Sequence, residues 1–209
     1  MRALLIWLFI AGAAWADGEK PGEFDYYVLS LSWSPNWCAY EGDARRSEQC
    51  NGEADHGWIL HGLWPQYERG YPSYCDSRAW NPSHAETAAM SDIMATGGLA
   101  WHQWKKHGRC TDLSSDDYFA LSRVAYAKVT RPSVFRQLVD PVRLPASVVE
   151  EAFLEVNPDL NADMITITCR DRYIQEARIC MTRDLEFRTC GRDVVRDCSQ
   201  SNAQFDPIR

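Results

Sequence analysis

Eight cysteines constrain this chain more than any other feature: Cys38, Cys50, Cys75, Cys110, Cys169, Cys180, Cys190 and Cys198. Their number is even and none stands in a C-x-x-C pair, which reads as four disulfide staples and not as a zinc or redox site. Disulfides need an oxidising compartment, and the opening residues offer a route to one. "MRALLIWLFIAGAAWAD" sets Arg2 before an apolar run from Ala3 to about Ala14, and Ala14-Trp15-Ala16 has the form of an export cleavage site. The expectation is a signal peptide over 1–16 and one domain over 17–209, exported to the periplasm or beyond, with no membrane anchor. Cleavage after Ala16 takes 16 of 209 residues and leaves 193, enough to bury an ordinary core. Asn81-Pro82-Ser83 is disqualified as a glycosylation sequon by its proline, which points toward a bacterial-type envelope.

The order of periodic segments sets the fold class. "FDYYVLSLSW" (24–33) alternates and is rich in aromatic and β-branched residues, so it predicts a strand, and "GWILHGLW" (57–64) predicts a second. "HAETAAMSDIMA" reads as a helix ended by Gly97-Gly98. "SSDDYFALSRVAYAKV" and "SVVEEAFLEV" predict two more helices, the latter with a capping box of Ser147 and Glu150. Strand-like runs then return: "MITITCR", "YIQEARICM" and "LEFRTC". The last two, joined by "TRD", read as a hairpin that a Cys180–Cys190 bond would close. Strands, then helices, then strands indicate a single α+β domain with a mainly antiparallel sheet.

Two stretches do not fit a purely structural reading. "WILHGLWPQ" (58–66) has the composition of a buried strand, yet His61 stands at its centre. "LAWHQWKKHGRC" (99–110) holds two histidines, Lys105, Lys106 and Arg109 with no acidic residue. On a helix, His102, Lys106, Gln103 and His107 fall in that angular order within roughly 140°, while Trp101 and Trp104 point toward the core. Gly108 would end that helix. The formal net charge of −7, or −8 without Arg2, excludes general coating of a polyanion, so any action on phosphates must rest on a local cationic site like this one. Cleavage of an RNA phosphodiester needs a base for the 2′-hydroxyl, an acid for the leaving 5′-oxygen, and a cation for the phosphoryl charge. Histidine suits both proton roles near neutral pH.

"HGLWPQYERGYPSYC" with "WHQWKKHGRC" resembles the two catalytic segments of the ribonuclease T2 family of secreted acid endoribonucleases, and the likeness extends to "FDYYVLSLSWSPNWC" and the cysteine layout. The resemblance implies metal-free transphosphorylation of single-stranded RNA to a 2′,3′-cyclic phosphate, then a 3′-phosphate, with no cofactor and no metal; no DNA partner is expected, and a monomer is the default expectation. It implies His61 as general acid, His107 as base, Lys106 as stabiliser of the phosphorane-like charge and His102 as a phosphate ligand. Trp64 would belong to the base-binding site, where stacking holds a nucleobase; Tyr71, with Tyr67 and Tyr74, could line the same pocket or merely pack beside Cys75. The family's pairing implies Cys75–Cys110, Cys169–Cys198 around the Cys180–Cys190 hairpin, and Cys38–Cys50.

Two positions depart from the family's pattern. Gln103 stands where the second segment carries glutamate; it keeps hydrogen-bonding capacity but carries no charge and shuttles no proton. Gln66 stands where some relatives carry an acidic residue that reads adenine, which implies relaxed base preference. Two rival readings follow. A zinc hydrolase would use His61, His102 and His107, but His102 and His107 are five residues apart where helical ligands want four, and Lys106 between them repels a cation. A non-catalytic RNA- or nucleotide-binding relative rests on Gln103 alone. His56 reads as structural or near the site, and His84 as surface.

Overall fold

A computed structural model describes residues 19–51 and 55–209. The expected signal peptide and its cleavage site lie outside the described residues. Six strands form one sheet: β1 (Tyr26–Trp33), β2 (Trp58–Gln66), β3 (Val142–Leu144), β4 (Ile165–Arg170), β5 (Tyr173–Met181) and β6 (Ala203–Phe205). The sheet runs β2-β1-β5-β6-β3, with β4 also paired to β5, and every ladder is antiparallel except the single β5–β6 pairing. Among the described residues there are six α-helices beside it: α1 (Ser34–Trp37), α2 (His84–Ala89), α3 (Ser91–Met94), α4 (Gly97–Lys106), α5 (Ser115–Lys128) and α6 (Ala146–Val156). This is the α+β, mainly antiparallel domain expected from the order of segments. No helix among the described residues is long and apolar enough to cross a membrane.

Strand alternation gives the sheet two faces of different chemistry. Tyr27, Leu29, Leu31 and Trp33 of β1, Ala177, Ile179 and Met181 of β5, and Ile165 and Ile167 of β4 enter the main core. There Trp33 stacks on Phe205 with centroids 4.5 Å apart, and Trp58 meets Phe153 edge-on at 5.2 Å. Fully burying one such side chain contributes roughly 1.5–3 kcal/mol. The opposite face carries Ser30, Ser32, Thr166, Thr168, Glu176 and Arg178, which the registers Ser32↔Glu176 and Thr168↔Glu176 align across three strands. This face is polar over these residues and apolar where Tyr26, Val28 and Cys180 pack with Val194, and the cleft is built over the polar part.

Four disulfides join Cys38–Cys50, Cys75–Cys110, Cys169–Cys198 and Cys180–Cys190. Three local expectations are corrected. Gly97 and Gly98 do not end a helix; they open α4, after the chain has broken at Ala95 with φ +65° and Thr96 has capped the Leu99 amide. A Cβ on Gly97 would lie 3.2 Å from the backbone of α2, so glycine here serves the close approach of two helices. The capping box of α6 is absent, because Pro145 is the N-cap and Ser147 lies inside the first turn; the box that does form is Ser83 with Glu86 at α2. "LEFRTC" is not a strand. It makes a single bridge, Met181↔Phe187, and the hairpin partner of β5 is β4.

Candidate active site

The cleft begins with an irregularity in β2. Ser30 pairs with Gly62 and the next residue, Leu31, pairs with Leu60, so His61 is the extra residue of a β-bulge. Bulges turn a side chain out of the regular alternation, and here the consequence is visible on both sides. Leu60 and Leu63 both reach the core, while His61, Trp64 and Gln66 all line the cleft. Alternation from Leu60 points the imidazole away from the core, and the added residue lets Leu63 return to the core while Trp64 and Gln66 stay in the cleft.

Helix α4 supplies the facing wall. Trp104 is fully buried and packs on Tyr118, whose hydroxyl donates to the Leu63 carbonyl at 2.9 Å and so ties α5 to β2. Trp101, expected in the core with it, is 37% exposed. The end of α4 is clamped by Cys75–Cys110 and by the Tyr74 amide donating to the Lys106 carbonyl at 2.8 Å. His102, Gln103, Lys106 and His107 all line one cavity of about 550 Å³ with His61, Trp64 and Tyr71. A second cavity of about 490 Å³ opens on the other side of His61 and His102, bordered by Tyr40, Gln49 and Arg170.

Trp64 is the hub of the site. Its ring lies 5.2 Å from the His61 ring, edge-on, and 5.2 Å from the His107 ring, stacked at 25°. The Arg178 guanidinium lies 5.3 Å from the same indole. Trp64 Nε1 donates to Gln103 Oε1 at 2.7 Å. Gln103 is consequently buried, 1% exposed, and only its NH₂ is left for other partners. Tyr71 keeps a half-exposed ring, 6.1 Å from the His107 ring and 5.7 Å from Lys106 Nζ. Gln66 is buried and donates to the Pro65 carbonyl at 3.0 Å.

Electrostatics separate the two sides of the cleft. Burial, then the charges of Lys106, His61 and His102, push His107 down to about 2, so its ring is neutral and able to accept a proton. Burial and then Lys106, His61 and Lys105 lower His102. His61 faces a carboxylate instead: its Nδ1 lies 2.5 Å from Glu176 Oε1. Burial alone would raise Glu176, but the charge and hydrogen bonds of His61 and Arg178 outweigh it and hold this carboxyl at about 2. Glu176 and Arg178 were not singled out from the sequence. The available signal was two charged residues, two apart, within the otherwise apolar "YIQEARICM".

The pattern of the Ribonuclease T2 family matches residues 24–190, and the chain belongs to that family. It is similar to a ribonuclease of Aeromonas hydrophila, 41% identical over 122 residues that cover 58% of this chain and 54% of that protein. Ribonuclease I of Escherichia coli K12 is 24% identical over 218 residues, covering 83% of this chain and 81% of that one. The chain spans about half the length of the Aeromonas and Haemophilus relatives that it matches, 54% and 44%. Among solved structures, Japanese pear S3-RNase superposes with a TM-score of 0.66 at 19% identity, over 87% of this chain and all of that one. RNase NT, solved in complex with 5′-AMP, does so with a TM-score of 0.64 at 20% identity, over 89% of this chain and 100% of that one. These likenesses show the fold.

Proposed function

We propose that the chain is a metal-independent endoribonuclease that cleaves single-stranded RNA by attack of the 2′-oxygen, with low base specificity. The observation that carries the reading is the convergence of His61 from β2 with Lys106 at the end of α4 and His107 just beyond it in one cleft, the two imidazoles flanking a single indole at 5.2 Å each. His107 takes the proton of the 2′-hydroxyl while its oxygen bonds to phosphorus. The bond from phosphorus to the 5′-oxygen breaks, and His61 protonates that oxygen. Lys106 and His102 face the phosphoryl oxygens, where charge builds up in the transition state. The NH₂ of Gln103 donates to the same group.

The products are a 2′,3′-cyclic phosphate and a 5′-hydroxyl; water, activated with the roles of the histidines exchanged, opens the ring to a 3′-phosphate. A bound phosphodiester also supplies negative charge that offsets the cations around His107, so substrate raises the proton affinity of its own base. Tyr71 offers the open aromatic face for a nucleobase, with Trp64 and Gln66 as the wall behind it. Four disulfides fit an exported protein, periplasmic or extracellular. A non-catalytic nucleotide-binding relative is the second reading, favoured only by the amide of Gln103.

The deciding experiment gives the purified, oxidised protein a short RNA in EDTA, beside a copy with one 2′-deoxy sugar at the cut. Cyclic phosphate ends on the RNA and no cut at the deoxy position are expected. Zinc-dependent cleavage would support a metallohydrolase, and nucleotide binding without cleavage would support the binding protein.

A further inference from the structure

We propose that Glu176 is a positioning residue for His61: its carboxylate accepts the Nδ1 hydrogen of the imidazole and turns Nε2, with the transferable proton, into the cleft. The inference rests on His61 being the proton donor to the leaving oxygen.

Three observations carry it. The first is how the carboxylate divides its partners. Glu176 is 1% exposed, and a buried carboxylate is costly unless paired. Arg178 provides that pairing at Oε2 through two bonds of 2.8 and 2.7 Å, which leaves Oε1 to His61 at 2.5 Å. Structural neutralisation and the contact with the imidazole use different oxygens.

The second is that the contact crosses an intervening strand. His61 on β2 and Glu176 on β5 are separated by β1, about 10 Å of sheet. They meet because β1 presents only Ser30 and Ser32 beneath them and because the bulge leans His61 over that gap. A larger side chain at either serine would close the path.

The third is proton bookkeeping. An imidazolium has two N–H groups. With Nδ1–H bound to Glu176, Nε2–H is the one given to the 5′-oxygen as its bond to phosphorus breaks, and His61 is left neutral with Nδ1–H still in place. The carboxylate itself never takes the proton. The other groups facing His61 are His102 from α4, His107 just beyond it and Arg178 from β5. All are cationic when protonated, so the carboxylate is what offsets them.

The test compares Glu176→Gln with wild type on two substrates: a uridine-containing dinucleoside phosphate, whose leaving alkoxide needs a proton, and uridine 3′-(4-nitrophenyl phosphate), whose leaving phenolate does not. Glutamine keeps the shape and an acceptor but not the charge. Expected are a loss of about 10- to 100-fold on the dinucleotide and less than about threefold change on the nitrophenyl ester. Equal losses on both substrates, or none on the dinucleotide, overturn the proposal. His61→Ala, run beside it, separates the two levels: if it loses both substrates equally, the reading of His61 as acid has failed; if it shows the contrast and Glu176→Gln does not, only the role of Glu176 has failed. Should Glu176→Gln not fold, ¹⁵N NMR of the wild-type protein decides, because a neutral His61 protonated at Nε2 contradicts the proposal and one protonated at Nδ1 upholds it.

Discussion

Trp64 Nε1 donates to Gln103 Oε1 at 2.7 Å through space that Gly62 leaves empty. A Cβ on Gly62 would lie 2.3 Å from that oxygen and 2.4 Å from that nitrogen. Neither group can yield freely, since Gln103 is buried and the indole is packed among His61, His107 and Arg178. Gly62→Ala should therefore destabilise the fold by about 1–3 kcal/mol, the usual cost of overpacking. Urea denaturation measures this, and RNA cleavage should fall with it. An alanine variant as stable and active as wild type would mean that the indole and the amide can part freely.

Replacing Gln103 by Glu puts a charge into a site that is already organised around an acceptor. One carboxylate oxygen can take the Trp64 hydrogen as the amide oxygen does, so the change in kcat/KM should stay below about tenfold, well short of the 10²–10⁴ of a proton-transfer group. A gain of about a hundredfold would show instead that the amide had disabled the site.

The fold should lose stability in acid. His107 is held well below its ordinary value of 6.5, so the unfolded chain binds a proton that the native state refuses. That contribution is whole above pH 6.5 and shrinks as pH falls toward 2. Glu176, lowered from 4.5 to about 2, adds a second loss that begins only below pH 4.5. Stability from urea titrations should fall toward acid with a slope of up to about 1.4 kcal/mol per pH unit for each group. His107→Asn should flatten the curve between pH 6.5 and 4.5 and reduce its slope below 4.5 to the part that Glu176 supplies. An unchanged curve in that variant would remove His107 as its origin.

Tyr71→Ala should raise KM for dinucleotides about tenfold or more, since stacking contributes roughly 1–3 kcal/mol per base, and should change kcat less. Trp64→Ala should chiefly lower kcat, because its ring packs against both histidines. Rates on dinucleotides that differ only in the 5′ base should lie within about tenfold of one another, given the neutral Gln66. A strong preference for a single base would sink that part of the reading.

The sequence revealed the segments that periodicity writes plainly: β1, β2, α5, α6, β4 and β5 all lie where alternation or helical spacing puts them. It also drew attention to His61, His102, Lys106 and His107, which the fold brings to one cavity, because ionisable residues among tryptophans are conspicuous. It hid what depends on register. The bulge at His61 is invisible in "WILHGLWPQ", since both faces of the strand are apolar there and either alternation looks acceptable. Glu176 was hidden for a related reason: its partner is 115 residues away, across a strand whose two serines read as ordinary polar positions. The three-residue strands β3 and β6 have no period to detect. At Gly97 the tie between helix stop and close packing was decided by α2, which no local pattern could supply.

The extra residue in β2 makes the effect of a change in length depend on where it falls. Deleting Gly62 would restore regular alternation and still leave Leu60 and Leu63 toward the core and His61 and Trp64 toward the cleft, whereas deleting Leu63 would swap the faces of every residue beyond it. Core and site share the same nine residues, Trp58–Gln66, in opposite phase on either side of a single point. Substitutions can tune this segment one side chain at a time, whereas a one-residue deletion away from the bulge would exchange core and site residues together.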